Sequence, residues 1–198
     1  MLVNLAYGRT GLAVEFPDDR TTVLEPTYLD GLPDQPGAVR EALDRPLGTA
    51  PLRKLVMTGQ TVAISVCDIT RPMPSATVLP VVLDALAHVP TDQITILIAS
   101  GTHRATTHDE LVEMLGAAVV DRYRIVVHDA FDDTQLTSLG EVEGRIPVWL
   151  NRTWVEADVR VTTGFVEPHF FAGFSGAPRW SRPDWRGSRR SCGCTTLR

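Results

Sequence analysis

Thr61-Val-Ala-Ile-Ser-Val-Cys67 and Ile94-Thr-Ile-Leu-Ile-Ala99 decide the fold. Each is a short, nearly continuous apolar run. A strand buried on one face alternates polar and apolar residues, whereas a strand of a parallel sheet is covered on both faces and reads this way. Between the two runs, Ser75 to His88 places Val78, Leu79, Val82, Leu83 and Leu86 at helical spacing. Strand, helix, strand is the unit of a parallel sheet. Downstream, Thr107-His-Asp-Glu110 is a capping box that opens a helix running to Gly116, a natural residue for a helix end. Arg124-Ile-Val-Val127 reads as a third strand and Val159-Arg-Val-Thr-Thr163 as a later one. The expected fold is α/β, a mostly parallel, doubly wound sheet with helices on both faces. Upstream, residues 1–30 alternate, as in Leu12-Ala-Val-Glu-Phe16, and predict a small N-terminal β hairpin region. Leu32 to Gly37 reads as a Pro/Gly-rich loop, and Gly37 to Leu43 as a short helix ended near Pro46. No internal repeat is visible.

The chain has 198 residues, 43% hydrophobic and 22% charged, ordinary values for a globular protein. No apolar run is long enough to span a bilayer. The N-terminus lacks a basic stretch followed by an apolar one, so no secretory signal is expected. Three cysteines, Cys67, Cys192 and Cys194, do not make a disulfide framework. These features predict a cytoplasmic protein without a membrane partner.

The net charge of −5 conceals an asymmetry. Residues 177–198 carry six arginines and one acid, a net of +5, which leaves −10 on residues 1–176. A basic tail on an acidic body suggests a nucleic-acid arm. Back-translation with chosen codons suggests something else. Lys54 is the only lysine among 19 basic residues, a bias that fits a GC-rich gene. When Ala177 to Leu197 is back-translated with GC-rich codons and read in another frame, it gives A-K-V-V-A-P-G-L-A-G-L-E-T-V-L-R-L-H-D-A. That string has apolar residues at helical spacing. The expectation is therefore a domain over residues 1–176 and a basic, out-of-frame, disordered tail over 177–198. Cys192 and Cys194 then lose interest as a metal pair, and no nucleic-acid partner is expected.

Four polar clusters follow the predicted strands directly: Asp68-Ile-Thr-Arg71-Pro72, Ser100-Gly-Thr-His103-Arg104, His128-Asp129, and Gly164-Phe-Val-Glu167-Pro168-His169. In an open parallel sheet, ligands bind outside the carboxyl ends of the strands. Separate stretches of sequence thus send Asp, Arg and His to one edge. Arg71 offers a planar, permanently charged fork for a carboxylate. Asp68 is placed to orient Arg71 or a base, unless the two are only a helix cap and a surface pair. His103 and His169 are candidate general bases, because histidine titrates near neutrality. Gly101 frees the backbone to approach a ligand, and the following helix start suits a phosphate. His128 reads as structural or as a site residue. His108 is expected to face solvent, and His88 to complement a helix dipole. Phe165, Phe170, Phe171 and Phe174 read as packing.

Asp68-Ile-Thr-Arg-Pro72, Gly101-Thr-His-Arg104 and Glu167-Pro-His-Phe-Phe-Ala-Gly-Phe-Ser-Gly176, in that order, resemble signature segments of the nickel-pincer lactate racemase family. The resemblance covers residues 1 to about 176. It implies an isomerase that interconverts D- and L-lactate by hydride transfer through a nickel-pincer pyridinium-3,5-bisthiocarboxylic acid mononucleotide. It implies His103 and His169 as the two bases, with Arg71 on the substrate carboxylate and Asp68 lining the same site. It places Gly101, Thr102, Ser175 and Gly176 near the cofactor. The family's tethering lysine falls where this chain has Arg179, which stays protonated. The alternative frame supplies that lysine, and a histidine further on where the family ligates nickel. As written, the chain offers no metal ligand and lacks the family's second domain. It is therefore expected to retain no cofactor and to be inactive. A racemase or epimerase of another 2-hydroxy acid, and a non-catalytic anion-binding α/β module, are the alternatives.

Overall fold

The computed structural model describes residues 1–25, 27–142, 146–169, 173–174 and 195–197. Among them no helix is long and apolar enough to cross a membrane. Residues 1–33 and 34–198 form two compact units.

In the first unit, β1 (Leu2–Leu5) and β2 (Leu12–Glu15) pair antiparallel, Leu2 opposite Glu15. The predicted hairpin is present. Its turn closes by a hydrogen bond from the Gly11 N–H to the Tyr7 carbonyl, 2.9 Å. Gly11 has φ +78°, and a Cβ there would lie 2.6 Å from the Asn4 side chain, so glycine is required twice over.

The second unit opens with α1 (Gln35–Asp44), whose N-cap Asp34 accepts from the Gly37 N–H at 2.8 Å. A short α2 (Leu52–Leu55) leads into the sheet. β3 (Val62–Cys67), β4 (Ile94–Ala99), β5 (Arg124–Val127) and β8 (Val159–Thr162) form one parallel sheet in the order β5-β4-β3-β8. All twelve residues of β3 and β4 are buried, as their unbroken apolar pattern requires. Side-chain alternation sends Ile64, Val66, Ile96 and Ile98 to one face, against α3 (Ser75–Ala85), α4 (His108–Leu115) and α5 (Ala117–Arg122). Ala63, Leu97 and Ala99 go to the other face, against Trp154 of α6 (Arg152–Glu156) and Ala157. Both faces are covered, which makes the sheet doubly wound.

Two differences from the sequence reading have clear causes. The helix expected to reach His88 stops at Ala85, and the chain goes on as turns with Leu86, Ala87 and Val89 each bonded three residues back. Apolar spacing does not separate an α-helix from the tighter turns that often finish it. His88 then reaches the Val56 carbonyl through Nε2, 2.9 Å, a bond and not only a dipole contact. The second difference is an antiparallel ribbon of β6 (Leu136–Val142) and β7 (Ile146–Asn151), irregular between Ser138 and Glu141, which the sequence did not suggest. Gly140 at φ +87° and Pro147 break the alternation that would have announced it. β9 (Pro168–His169) pairs with β10 (Gly173–Phe174), and β11 (Thr195–Leu197) with β7.

Candidate active site

The parallel register brings Cys67, the last residue of β3, opposite Ala99, the last residue of β4. The loops that follow therefore leave the sheet side by side. Asp68 comes directly after β3 and is 5% exposed. Its Oδ1 accepts from the Thr70 N–H at 3.2 Å and the Thr70 hydroxyl at 2.6 Å. The Arg71 N–H closes the same turn on the Asp68 carbonyl, 3.2 Å. This leaves Asp68 Oδ2, which meets Nδ1 of His103 at 2.6 Å.

His103 is delivered by the turn after β4. The Ser100 N–H bonds to the Ile98 carbonyl and the His103 N–H to the Ser100 carbonyl, both 3.0 Å. Gly101 makes this turn at φ +60°, a region that disfavours residues with a Cβ. With Nδ1 carrying the proton toward Asp68, the neutral ring keeps Nε2 as a lone-pair acceptor. Asp68 is buried and His103 half exposed, so the fixed carboxylate orients a ring whose outer edge stays accessible. An acid that holds a histidine tautomer in place is the arrangement of a general base.

The side chain of Arg71 bonds to a residue far along the chain. Its Nη1 donates to Glu167 Oε1 at 3.0 Å, between the loops that follow β3 and β8. Neither Asp68 nor Arg71 caps α3, whose N-cap is Pro74 with no side-chain bond. A pocket of about 210 Å³ opens here, lined by Asp68, Ile69, Arg71, Met73, Glu113 and Met114. That is small beside the roughly 300–1,000 Å³ of drug-sized sites and suits a ligand of a few atoms.

The start of α4 is the predicted capping box. Thr107 Oγ1 accepts from the Glu110 N–H at 3.3 Å, and Glu110 Oε2 accepts from the Thr107 N–H at 2.9 Å. Arg104 also forks onto Glu110, at 2.8 and 2.5 Å. The hydrogen bond from Arg104 is the main reason the Glu110 carboxyl falls to about 2, with the Thr107 N–H second. The helix start is thus already supplied with a carboxylate, where the sequence had suggested a phosphate. Thr102 is exposed and His108 is exposed, as expected for the latter.

His128 is 1% exposed. Asn151 caps α6 by accepting from the Thr153 N–H at 3.0 Å through Oδ1, which assigns its amide. Its Nδ2 therefore donates to His128 Nδ1 at 3.1 Å, and the His128 proton sits on Nε2. Burial, the larger effect, holds His128 near 4 against the opposing charge of Asp129. Such a ring stays neutral at physiological pH, a structural role. Burial likewise pushes the Cys67 thiol up to about 11, so it is no nucleophile.

The structure thus brings Asp68, Arg71 and His103 to one edge. His169 is placed by its backbone, in β9 opposite Gly173. Ser175, Gly176 and Arg179, with Phe170, Phe171, Cys192 and Cys194, lie outside the described residues. Sequence reasoning missed Glu167 as the partner of Arg71, and it left open whether Asp68 orients Arg71 or a base; the bond from Asp68 goes to His103. The only signal for Glu167 was that it stands one residue before the Pro168-His169 pair.

Residues 7–179 match the family model for the lactate racemase N-terminal domain. A lactate racemase of Lactiplantibacillus plantarum is 34% identical over 179 residues, and one of Thermoanaerobacterium thermosaccharolyticum 35%. Each match covers 88% of this chain and 42% of the relative, so the chain spans about two fifths of their length. Among solved structures, the lactate racemase apoprotein of Thermoanaerobacterium thermosaccharolyticum superposes with a TM-score of 0.70 at 34% identity, covering 88% of this chain and 41% of that one. A Thermotoga maritima protein superposes at 0.59 and 25% identity, covering 75% and 38%. The match over most of its length and the shared fold place this chain in the lactate racemase N-terminal domain family.

Proposed function

We propose that this chain carries the substrate-binding and proton-transfer portion of a 2-hydroxyacid racemase site, with lactate as the substrate. One observation carries the reading: a buried carboxylate, Asp68, fixes His103 at 2.6 Å, with Arg71 three residues further along the same turn. Arg71 binds the carboxylate of the hydroxy acid. His103, held by Asp68, takes the proton of the 2-hydroxyl on Nε2. His169, two residues after Glu167, serves as the second base. Two bases on opposite sides of the substrate would exchange the hydroxyl proton on either face; the hydride transfer that inversion at the carbon also requires is assigned to no residue of this chain. Asp68 acts through His103, as a positioning residue. The protein is read as cytoplasmic.

The resemblance also implies a nickel-pincer nucleotide tethered through a lysine. The donor chemistry of this chain does not fit that group. The only lysine is Lys54, in α2. That helix precedes the first residue of β3, and the site lies beyond its last. Position 179 holds an arginine. Among the described residues no three His, Cys, Asp or Glu side chains gather to hold a metal. No chemical step is therefore assigned to that group here. The expected result is that the purified chain, supplied with the cofactor, does not interconvert D- and L-lactate. Chiral chromatography of the product checks this, and detectable racemisation would overturn it.

The binding half of the reading has its own test. L-lactate binds the chain, and Arg71→Leu weakens it by at least roughly tenfold, the loss expected for a hydrogen-bonded charge. Titration calorimetry measures both. Equal affinity in the two proteins would remove Arg71 from the site.

A further inference from the structure

The sheet reverses its order at β3. The chain runs from β3 to β4 to β5 in one direction and then returns to the other side of β3 with β8. The cleft at such a reversal, outside the carboxyl ends of the strands, is where open α/β sheets hold ligands. Arg71 follows β3 and Glu167 follows β8, so their ion pair joins the two loops on either side of this reversal. It joins residues 96 apart in sequence.

The contact is a single-point bond. Nη1 of Arg71 meets Oε1 of Glu167 at 3.0 Å, where a fork-to-fork pair would use two nitrogens and two oxygens. The side chains are 35% and 24% exposed. At that exposure an ion pair contributes little to stability. Its effect falls instead on conformation. A free arginine has several soft torsions and loses them when it grips a ligand, a cost that reduces affinity. Here one nitrogen is already held, and the guanidinium is planar and rigid, so holding Nη1 narrows the directions in which the rest of the fork can point.

We propose that Glu167 is a positioning residue for Arg71: by holding Nη1 it presents the remaining donor edge of the guanidinium to a ligand carboxylate at the carboxyl edge of the sheet. The inference rests on the reading of Arg71 as the carboxylate site and goes beyond it by naming what aims it. The same bond has two further consequences. Glu167 precedes His169 by two residues, so it anchors the segment that carries the second base to the residue that binds the substrate. Glu167 also offsets part of the Arg71 charge. The site then favours a planar anion that meets two donors at once over a spherical one such as chloride.

The test uses the full chain and three proteins: wild type, Glu167→Ala and Glu167→Gln. L-lactate affinity is measured by calorimetry, and the side-chain nitrogens of Arg71 by 15N NMR without ligand. Glu167→Ala is expected to weaken L-lactate roughly threefold to tenfold, the effect of one rotamer-rich side chain left free. It is also expected to average the distinct Arg71 Nη signals into one. Glu167→Gln keeps an acceptor oxygen and should recover most of both, which a purely charge-based role would not. Thermal midpoints should stay close together in all three. Unchanged Arg71 signals and unchanged or tighter lactate binding in Glu167→Ala would overturn the proposal. If lactate fails to bind the wild type while the Arg71 signals still collapse in Glu167→Ala, the lactate-site reading of Arg71 falls and the clamp on its side chain stands.

Discussion

Truncating Ile96 to alanine is expected to lower the free energy of unfolding by about 2–5 kcal/mol, the range for removing a buried isoleucine side chain, toward the upper end. Ile96 is fully buried at the middle of β4, an internal strand. It lies in register with Ile64 on β3 and Ile125 on β5, and the same face packs on Leu79, Val82 and Leu111. A void at this point is walled by paired strands that cannot move inward without breaking their ladders. The size of the penalty grows with the cavity that persists. Urea unfolding followed by circular dichroism measures the change. A loss below about 1 kcal/mol would mean that the sheet relaxes around the gap, contrary to a core held rigid by its ladders. The expected effect reaches the site, because Asp68 and the Ser100–His103 turn hang from the ends of β3 and β4. Small whole-molecule stabilities make such a loss a large fraction of the total.

Acid is expected to weaken the fold between pH 6.5 and about 4, before most carboxylates protonate. His128 is the cause. Burial lowers its pKa to about 4 in the folded chain, from 6.5 when solvated. The unfolded state then binds a proton in this window and the folded state does not, so stability rises with pH there. The contribution is fully present above 6.5 and is lost as the pH falls toward 4. A shift of this size corresponds to about 2–3 kcal/mol lost by pH 4.5 relative to pH 7. The carboxyl of Glu110 falls to about 2 and those of Asp132 and Asp158 also lie below their ordinary value, so their own losses come at lower pH. Urea midpoints of wild type and His128→Gln at pH 7 and pH 4.5 separate the contributions. The variant starts less stable, having lost its bond to Asn151, but should show a much shallower pH dependence. Parallel pH slopes in the two proteins would remove His128 as the source.

How much of this was legible in the sequence follows from the range of the interactions. β3 and β4 were visible because a strand covered on both faces is apolar throughout, a property of six consecutive residues, and β5 because three apolar residues follow Arg124. The capping box at Thr107 and Glu110 was visible because all of its parts lie within one turn. The β6–β7 ribbon was hidden, since its outer face is exposed and Gly140 and Pro147 interrupt its alternation. The convergence of Asp68, Arg71 and His103 on one edge could be read, because each follows a recognisable strand and such strands share a carboxyl edge. Their pairing could not. That Asp68 meets His103 while Arg71 turns to Glu167 depends on which strands are neighbours. The order β5-β4-β3-β8 is set by packing across the whole domain. His128 stayed ambiguous for the same reason. Its partner Asn151 is 23 residues away, on the ribbon that the sequence did not announce.

The measurement that tests the central claim most directly is a titration of the chain with L-lactate, followed through the imidazole nitrogens of His103 and the side-chain nitrogens of Arg71. If Asp68, His103 and Arg71 form one 2-hydroxyacid site, both sets of signals move saturably and give the same dissociation constant. Nδ1 of His103 stays protonated throughout, held by Asp68, and the larger change falls on Nε2. If lactate moves neither set, or moves Arg71 alone while His103 is silent, the three side chains do not act on one ligand and the account of the site is wrong.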